Sequence, residues 1–285
     1  MNRHLYADLD RPWIDYQMWA PPSVPGKLFR GPPIDLTKRY MACLGAAQTF
    51  GRFCHEPYPT IVARRLGIQA LNLGAGGAGP RFFLNEGLLG LANGASLAII
   101  QVLPARSEGN SWFDTSRTGT MRGMRISDRK KMRFEDWLRE FVRSETPAAV
   151  EQAIRETREG YCAHMQQLLR SITVPKVLLY FSDRAPAYTC DYTTLYGILR
   201  SPPQLVDDTV VSRLIPFADA YVECASPPDG PQRLWTADHP IDGAKLIDGC
   251  LFNTYYPTPE MHVEAADALE RACRGMVRSP EGRSA

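Results

Sequence analysis

Tyr40–Pro80 reads YMACLGAAQTFGRFCHEPYPTIVARRLGIQALNLGAGGAGP. Its first seven residues, Tyr40–Ala46, form an apolar run ending on small residues, the pattern of a buried strand. In the next segment Ile61, Val62 and Leu66 fall on one helical face, and Gly67 supplies the stop. Ile68–Gly74 is a second apolar strand, and it empties into a glycine-rich turn. Working outward, Arg81–Gly94 predicts a second helix and Ser96–Pro104 a third strand. This β-α-β-α-β rhythm with short connections generates a parallel sheet covered by helices on both faces. Further along, Ala148–Ile172 predicts a long helix, Lys176–Arg184 a fourth strand, Asp219–Ser226 a fifth, and Pro259–Met276 a terminal helix. Between the fifth strand and that helix the sequence predicts a loop rich in Pro, Gly and Asp. The fold class expected is a three-layer α/β/α sandwich around a five-stranded, mainly parallel sheet. Residues 1–37, rich in proline and aromatics, read as an arm lying on the domain. Residues 38–276 read as a single domain and 277–285 as a flexible tail.

Composition narrows the function classes. The 285 residues carry a formal net charge of +2, with 44% hydrophobic and 22% charged residues. That is an ordinary soluble composition, and neither the overall charge nor any basic-aromatic interleaving points to nucleic acid. No apolar run is long enough to span a bilayer, and the start shows no secretory pattern, so a cytoplasmic protein is expected. The seven cysteines are scattered without a CxxC pair, which fits free thiols and gives no reason to expect a metal. A homodimer is compatible with the sequence, which does not specify one.

In an open parallel sheet, ligands sit beyond the carboxyl ends of the strands. Here those ends lead into three small-residue loops: Gly45, Ala47, Gln48 and Thr49 after strand one; Gly76 and Gly77 after strand two; Arg106, Ser107, Asn110 and Ser111 after strand three. Glycines there allow close backbone approach, and free N–H groups or the Asn110 amide suit an oxyanion. For one glycine-rich loop alone, a tight strand-to-helix turn is the simpler reading; three in succession favour a site.

The blocks "GAAQT", "NLGAGGAGP", "EGNS" and "NTYYPTPEMH" fall in the order of the four blocks of the SGNH/GDSL hydrolases, and from Tyr40 to Met276 the chain resembles that superfamily. It resembles more closely bacterial proteins of the DUF6473 type, which carry "AQTFGRF" and "YYPxPEMH". The first resemblance implies an SGNH-hydrolase, flavodoxin-like fold and assigns Gly77 and Asn110 to an oxyanion hole. It also marks departures. Ala47 stands where the superfamily has its nucleophilic serine, and Asn253 and Tyr256 align with its Asp and His. Without a serine at 47, hydrolysis through that residue cannot run. Thr49, Cys54, Ser107 and Ser111 are the other candidate nucleophiles. Alternatively a base removes the acceptor's proton and no protein nucleophile is used. His262 is the preferred base, on the expectation that the terminal helix starts at the rim; a capping or solvent-facing histidine is the plain alternative. His239, beside Asp238, is its rival. Cys54 and His55 are neighbours whose side chains diverge, so they make no dyad.

From Arg117 to Arg133 there are seven cations against one acid, Asp128. The plain reading is a solvated face. The sharper one is a basic helical insertion, about residues 106–143, that closes over the rim and neutralises a phosphate- or sulfate-bearing ligand with Arg106. The sequence therefore supports a group-transfer enzyme, moving an acyl or sulfuryl group to a hydroxyl or amine of a small molecule or glycan, with a sulfonucleotide or coenzyme A thioester as donor. An esterase-type hydrolase with a rearranged nucleophile and a non-catalytic ligand-binding protein are the alternatives.

Overall fold

The computed structural model describes residues 5–236 and 241–277. Its centre is a five-stranded sheet of β1 (Tyr40–Gly45), β2 (Gln69–Gly74), β3 (Leu97–Gln101), β4 (Lys176–Ser182) and β5 (Ala220–Ala225). Every neighbouring pair is parallel, and the order is β2-β1-β3-β4-β5. This is the flavodoxin-like order, in which the winding reverses between β1 and β3 and opens a crevice at their carboxyl ends.

Alternation along the strands builds two cores. Ala42, Leu44, Ala98, Ile100, Leu178 and Tyr180 face one side, against the helices Glu86–Asn93, Phe134–Ser144 and Pro147–Ser171. Met41, Cys43, Ile99, Val177, Leu179 and Phe181 face the other, against the helices Tyr58–Leu66 and Pro259–Cys273. Both faces are buried, which is why the strands read as continuous apolar runs.

Some expectations are corrected. The basic insertion is not helical through its basic part. Phe113–Asp114, Arg122–Arg125 and Lys131–Arg133 form an antiparallel three-stranded meander, and the helix begins only at Phe134. Its anchor is aromatic: the Phe113 ring stacks on Trp137 at 5.2 Å, and Phe134 packs edge-on to both. Such pairs contribute about 0.5–1.5 kcal/mol each beyond area burial. The loop expected after β5 contains a second antiparallel sheet, Gln232–Thr236, Ala244–Ile247 and Cys250–Asn253. The helix expected over Arg81–Gly94 is broken, because Asn85 leaves the helical conformation to cap Glu86–Asn93.

The arm packs on the domain through charge as well as apolar contact. Arg30 is buried and donates to the carbonyls of Phe50, Gly51, Cys54 and His55. Asp10, from the helix Leu5–Asp10, accepts from Arg52 at 2.9 and 3.2 Å, with both side chains fully buried. Tyr16 binds the same carboxylate at 2.9 Å.

Candidate functional site

A cavity of about 130 Å³ lies at the switch point. Ala46, Ala47 and Gln48 line it from the end of β1, Gly77 from the end of β2, and Pro104 and Arg106 from the end of β3. Gly77 has φ +74°, and a Cβ there would come within 3.1 Å of three Met121 side-chain atoms. The glycine thus lets the meander lie on the β2 turn, fixed by the Met121 N–H donating to Gly77 O at 3.0 Å. In this way the insertion delivers Met121 and Arg133 to the cavity wall.

The remaining wall comes from Tyr6, Gln204, Tyr255 and Tyr256 and the Asp242–Gly243 turn. Asn253 sets the two tyrosines. Its Oδ1 accepts from the Tyr255 and Tyr256 N–H groups at 3.1 and 2.9 Å, while its Nδ2 donates to Tyr256 O at 2.8 Å. The Tyr255 hydroxyl accepts from Gln204 Nε2 at 2.8 Å and from Arg106 Nη2 at 3.2 Å. Tyr256 is buried, and burial first, then Tyr6, pushes its phenol well above the usual range.

Charges around the cavity balance. Arg106 is paired with Glu135, and Glu135 Oε2 lies 3.9 Å from Arg133 Nε. Asp242 lines the wall itself, 3.9 Å from the buried Arg52. Elsewhere in the insertion Arg125 is tied to Asp128 and Glu140. Arg106 and Arg133 thus face Glu135 and Asp242, a poor setting for a phosphate or sulfate dianion.

Three polar atoms of the wall residues, Arg106 Nε, Arg133 Nε and Gln204 Oε1, and Oε2 of Glu135 are buried and have no hydrogen-bond partner among the described residues. Glu135 belongs to this set through its contacts with both arginines. Two of the four are donors and two are acceptors.

The cavity brings together Ala47, Gln48, Gly77, Arg106 and Tyr256 from the sequence candidates. The others lie elsewhere. Thr49 is fully buried, its hydroxyl held by Gln101 Oε1 at 2.7 Å and Tyr58 Oη at 2.9 Å. Ser107 is fully buried and donates to Pro104 O. Asn110 accepts from the Trp112 and Phe113 N–H groups and donates to Thr157, so it closes the turn into the meander and faces no cavity described here. Ser111 lies on a different cavity, between the meander and the helix Phe134–Ser144. Gly45 and Gly76 make room for Thr49 and Tyr6: a Cβ would lie 1.8 Å from Thr49 Oγ1 in one case and 2.6 Å from Tyr6 Oη in the other. Cys54 is buried, and burial raises its thiol to about 11.

His262 does begin the terminal helix, but the rim placement expected of it is corrected. The imidazole is fully enclosed, its Nδ1 accepts from Tyr58 N–H at 3.2 Å, and its Nε2 has no hydrogen-bond partner among the described residues. It packs against the Phe181 and Tyr58 rings, and burial, then Arg30, lowers its pKa to about 3. The cause is the packing of Pro259–Cys273 flat against β4 and β5, which turns its first apolar face inward. Asp238 and His239 lie outside the described residues.

Gln101, Arg133, Gln204 and Tyr255 were not among the sequence candidates. Gln101 had a signal, a lone amide closing the apolar run "LAII". It accepts from the Ala46 and Thr49 N–H groups at 3.0 and 3.3 Å and so braces the β1 turn. Arg133 belonged to the basic run, but nothing local distinguished it from its neighbours.

Among the described residues, no three His, Cys, Asp or Glu side chains converge as a metal would need. No helix there is long and apolar enough to cross a membrane.

The layers and strand order are those of a flavodoxin-like α/β scaffold. No curated protein matches the chain. Among solved structures, it is similar to a carbohydrate esterase family 2 enzyme with a carbohydrate-binding domain from Corynascus thermopiles (Myceliophthora fergusii). The identity is 14%, covering 89% of this chain and 70% of that one, with a TM-score of 0.39. A family-two carbohydrate esterase from Clostridium thermocellum, in complex with cellohexaose, matches at 11% identity over 87% of this chain and 67% of that one, with a TM-score of 0.40. The lipase Lip_vut3 from a goat rumen metagenome matches at 8% identity over 84% of this chain and 100% of that one, with a TM-score of 0.46. At such scores these likenesses carry no residue role. The family model of DUF6473, a domain of unknown function, matches residues 24–277, and the chain belongs to that family.

Proposed function

We propose that the chain binds a small, neutral, polyhydroxylated molecule, a sugar or the end of a glycan, in the cavity at the β1/β3 switch point. One observation carries this reading: three residues of the cavity wall hold buried polar atoms without a hydrogen-bond partner, the donors Arg106 Nε and Arg133 Nε and the acceptor Gln204 Oε1, and Glu135 Oε2, ion-paired with Arg133, is a fourth such atom next to them. A hydroxyl donates and accepts, so adjacent hydroxyls can match such a set without adding charge, whereas a phosphate brings net negative charge to a wall already balanced. Buried polar groups are ordinarily paired, so unmatched atoms on three wall residues of one cavity are a reason to expect a ligand that supplies hydrogen bonds there.

Binding without protein nucleophilic catalysis is the reading favoured. Ala47 offers no nucleophile, the hydroxyls of Thr49 and Ser107 are enclosed, and among the described residues neither a histidine nor a cysteine lines the switch-point cavity or the larger one beside it. Group transfer needs a base beside the acceptor, and His262 is shut away from both cavities. Hydrolysis of an ester of the bound sugar is a second reading, favoured by Tyr255. Its oxygen accepts two hydrogen bonds, leaving its own proton to be donated to a leaving group.

The test is calorimetric titration with methyl β-D-glucopyranoside and methyl β-D-xylopyranoside, beside orthophosphate. Saturable binding of a glycoside, weakened about tenfold in Gln204→Leu and in Arg133→Gln, is the expected result. Binding of phosphate but of neither sugar overturns it. Acetate release from acetylated xylo-oligosaccharides that Tyr255→Phe abolishes would select hydrolysis over binding alone.

A further inference from the structure

A second cavity, of about 330 Å³, adjoins the first and shares Gln48, Tyr255 and Tyr256 with it. Phe181, Pro202, Pro228, Pro231 and Met261 line it. Three polar side chains in its wall are already matched, through Ser182 Oγ, Asn253 Nδ2 and Gln48 Oε1. Ser182 Oγ donates to Pro202 O at 2.6 Å, and Asn253 Nδ2 donates to Tyr256 O and to Gln232 Oε1. Gln48 Oε1 accepts from Gln101 Nε2 at 3.3 Å. Asp183 stands exposed at the edge. The two cavities thus differ in kind: the small one offers unpaired donors and acceptors, and the large one offers apolar surface.

We propose that the larger cavity is an aglycone subsite that receives an aromatic ring attached to the sugar in the small one. This rests on the sugar reading above. Proline rings, an aromatic edge and a methionine thioether present C–H groups and a polarisable sulfur, which pack on the face and edge of a π system. The volume lies at the lower end of ordinary small-molecule pockets, enough for a ring and its linkage. The shared tyrosines place the two cavities side by side, so one ligand can occupy both. The ligand class is therefore an aryl glycoside.

The experiment compares phenyl with methyl β-D-glucopyranoside, and the matching xylosides, by titration of the full chain. Burying the ring should tighten binding about tenfold or more over the methyl glycoside. The discriminating variant is Gly230→Trp. Gly230 lines the mouth of the large cavity, and a Cβ there would meet nothing within 4 Å, so an indole can be carried at this position without a clash. It should erase the phenyl advantage and leave the methyl glycoside's affinity unchanged, while Gln204→Leu weakens both. If methyl and phenyl glycosides bind wild type equally, or the advantage survives Gly230→Trp, the aglycone subsite is overturned and the sugar reading stands. If phenol alone binds as tightly as the phenyl glycoside, the two cavities do not act on one ligand and the proposal fails. If no glycoside binds, both readings fall together.

Discussion

Behind the β1 turn, Thr49 hydrogen-bonds to both Gln101 and Tyr58, and Arg52 and Asp10 form a fully buried ion pair. In front of it, Arg106, Arg133, Glu135 and Gln204 each leave a buried polar atom unmatched. Both clusters are polar and border the same few residues of chain, yet one is closed on itself and the other holds unmatched atoms beside a cavity. Burying a polar group is costly unless it is hydrogen-bonded. The rear cluster therefore stabilises the fold, and the front cluster has a free energy of interaction left for a ligand. The contrast predicts large stability effects and no ligand specificity behind the turn, and the reverse in front.

The sharpest break would come from Asp10→Ala. It strands a fully buried guanidinium that also donates to Asp242 O, and removing one partner of a buried pair costs about 3–5 kcal/mol. Urea denaturation reads this directly. A double change with Arg52→Met should recover much of the loss, and a failure to do so would show that Asp10 acts through Tyr16 instead.

Next comes pH dependence. His262 has its pKa lowered to about 3 from an ordinary 6.5, so the unfolded chain takes up the proton first and stability falls as pH drops below about 6.5. Glu108, outside the site, has its carboxyl raised to about 8 from 4.5 by burial, with Arg81 opposing and His164 at 3.1 Å. Its contribution is fully present below about 4.5 and is lost as pH rises through about 8. Each slope is about 1.4 kcal/mol per pH unit, and between roughly pH 4.5 and 6.5 the two oppose. Wild type should therefore be nearly flat there. His262→Asn should uncover a rise in stability towards acid, and Glu108→Gln should uncover a fall. Denaturation midpoints at four or five pH values would show either slope.

Thr49→Val should cost about 1–2 kcal/mol, because the buried Tyr58 hydroxyl loses its partner, with no change in glycoside affinity. The smallest stability effect belongs to the front. Gln204→Leu should shift the midpoint by under about 0.5 kcal/mol while reducing glycoside affinity about tenfold. A Gln204→Leu protein as destabilised as Thr49→Val would erase the distinction between the clusters.

The sheet was legible because burial on both faces leaves a continuous apolar record in "YMACLG", "LAIIQ" and "KVLLYFS", and glycine punctuates the connections. The rim was legible as well, since parallel strands leave small-residue loops at one end. The meander at 113–133 was not. Its strands are two to four residues long, too short for a period to show, and their pairing depends on Phe113 finding Trp137. His262 misled because its place at the start of a helix is local, whereas the face it presents is set by how that helix packs on β4 and β5.

The sequence by itself determined the strands, their parallel direction and the absence of a nucleophilic side chain at Ala47, because these follow from local periodicity and from single residues. Tertiary structure alone decided which polar groups are satisfied. Hydrogen bonding and charge balance are properties of neighbours in space: Glu135 meets Arg106 across 29 residues with the meander seated on Gly77, and Gln204 meets Tyr255 across a gap of 51 residues.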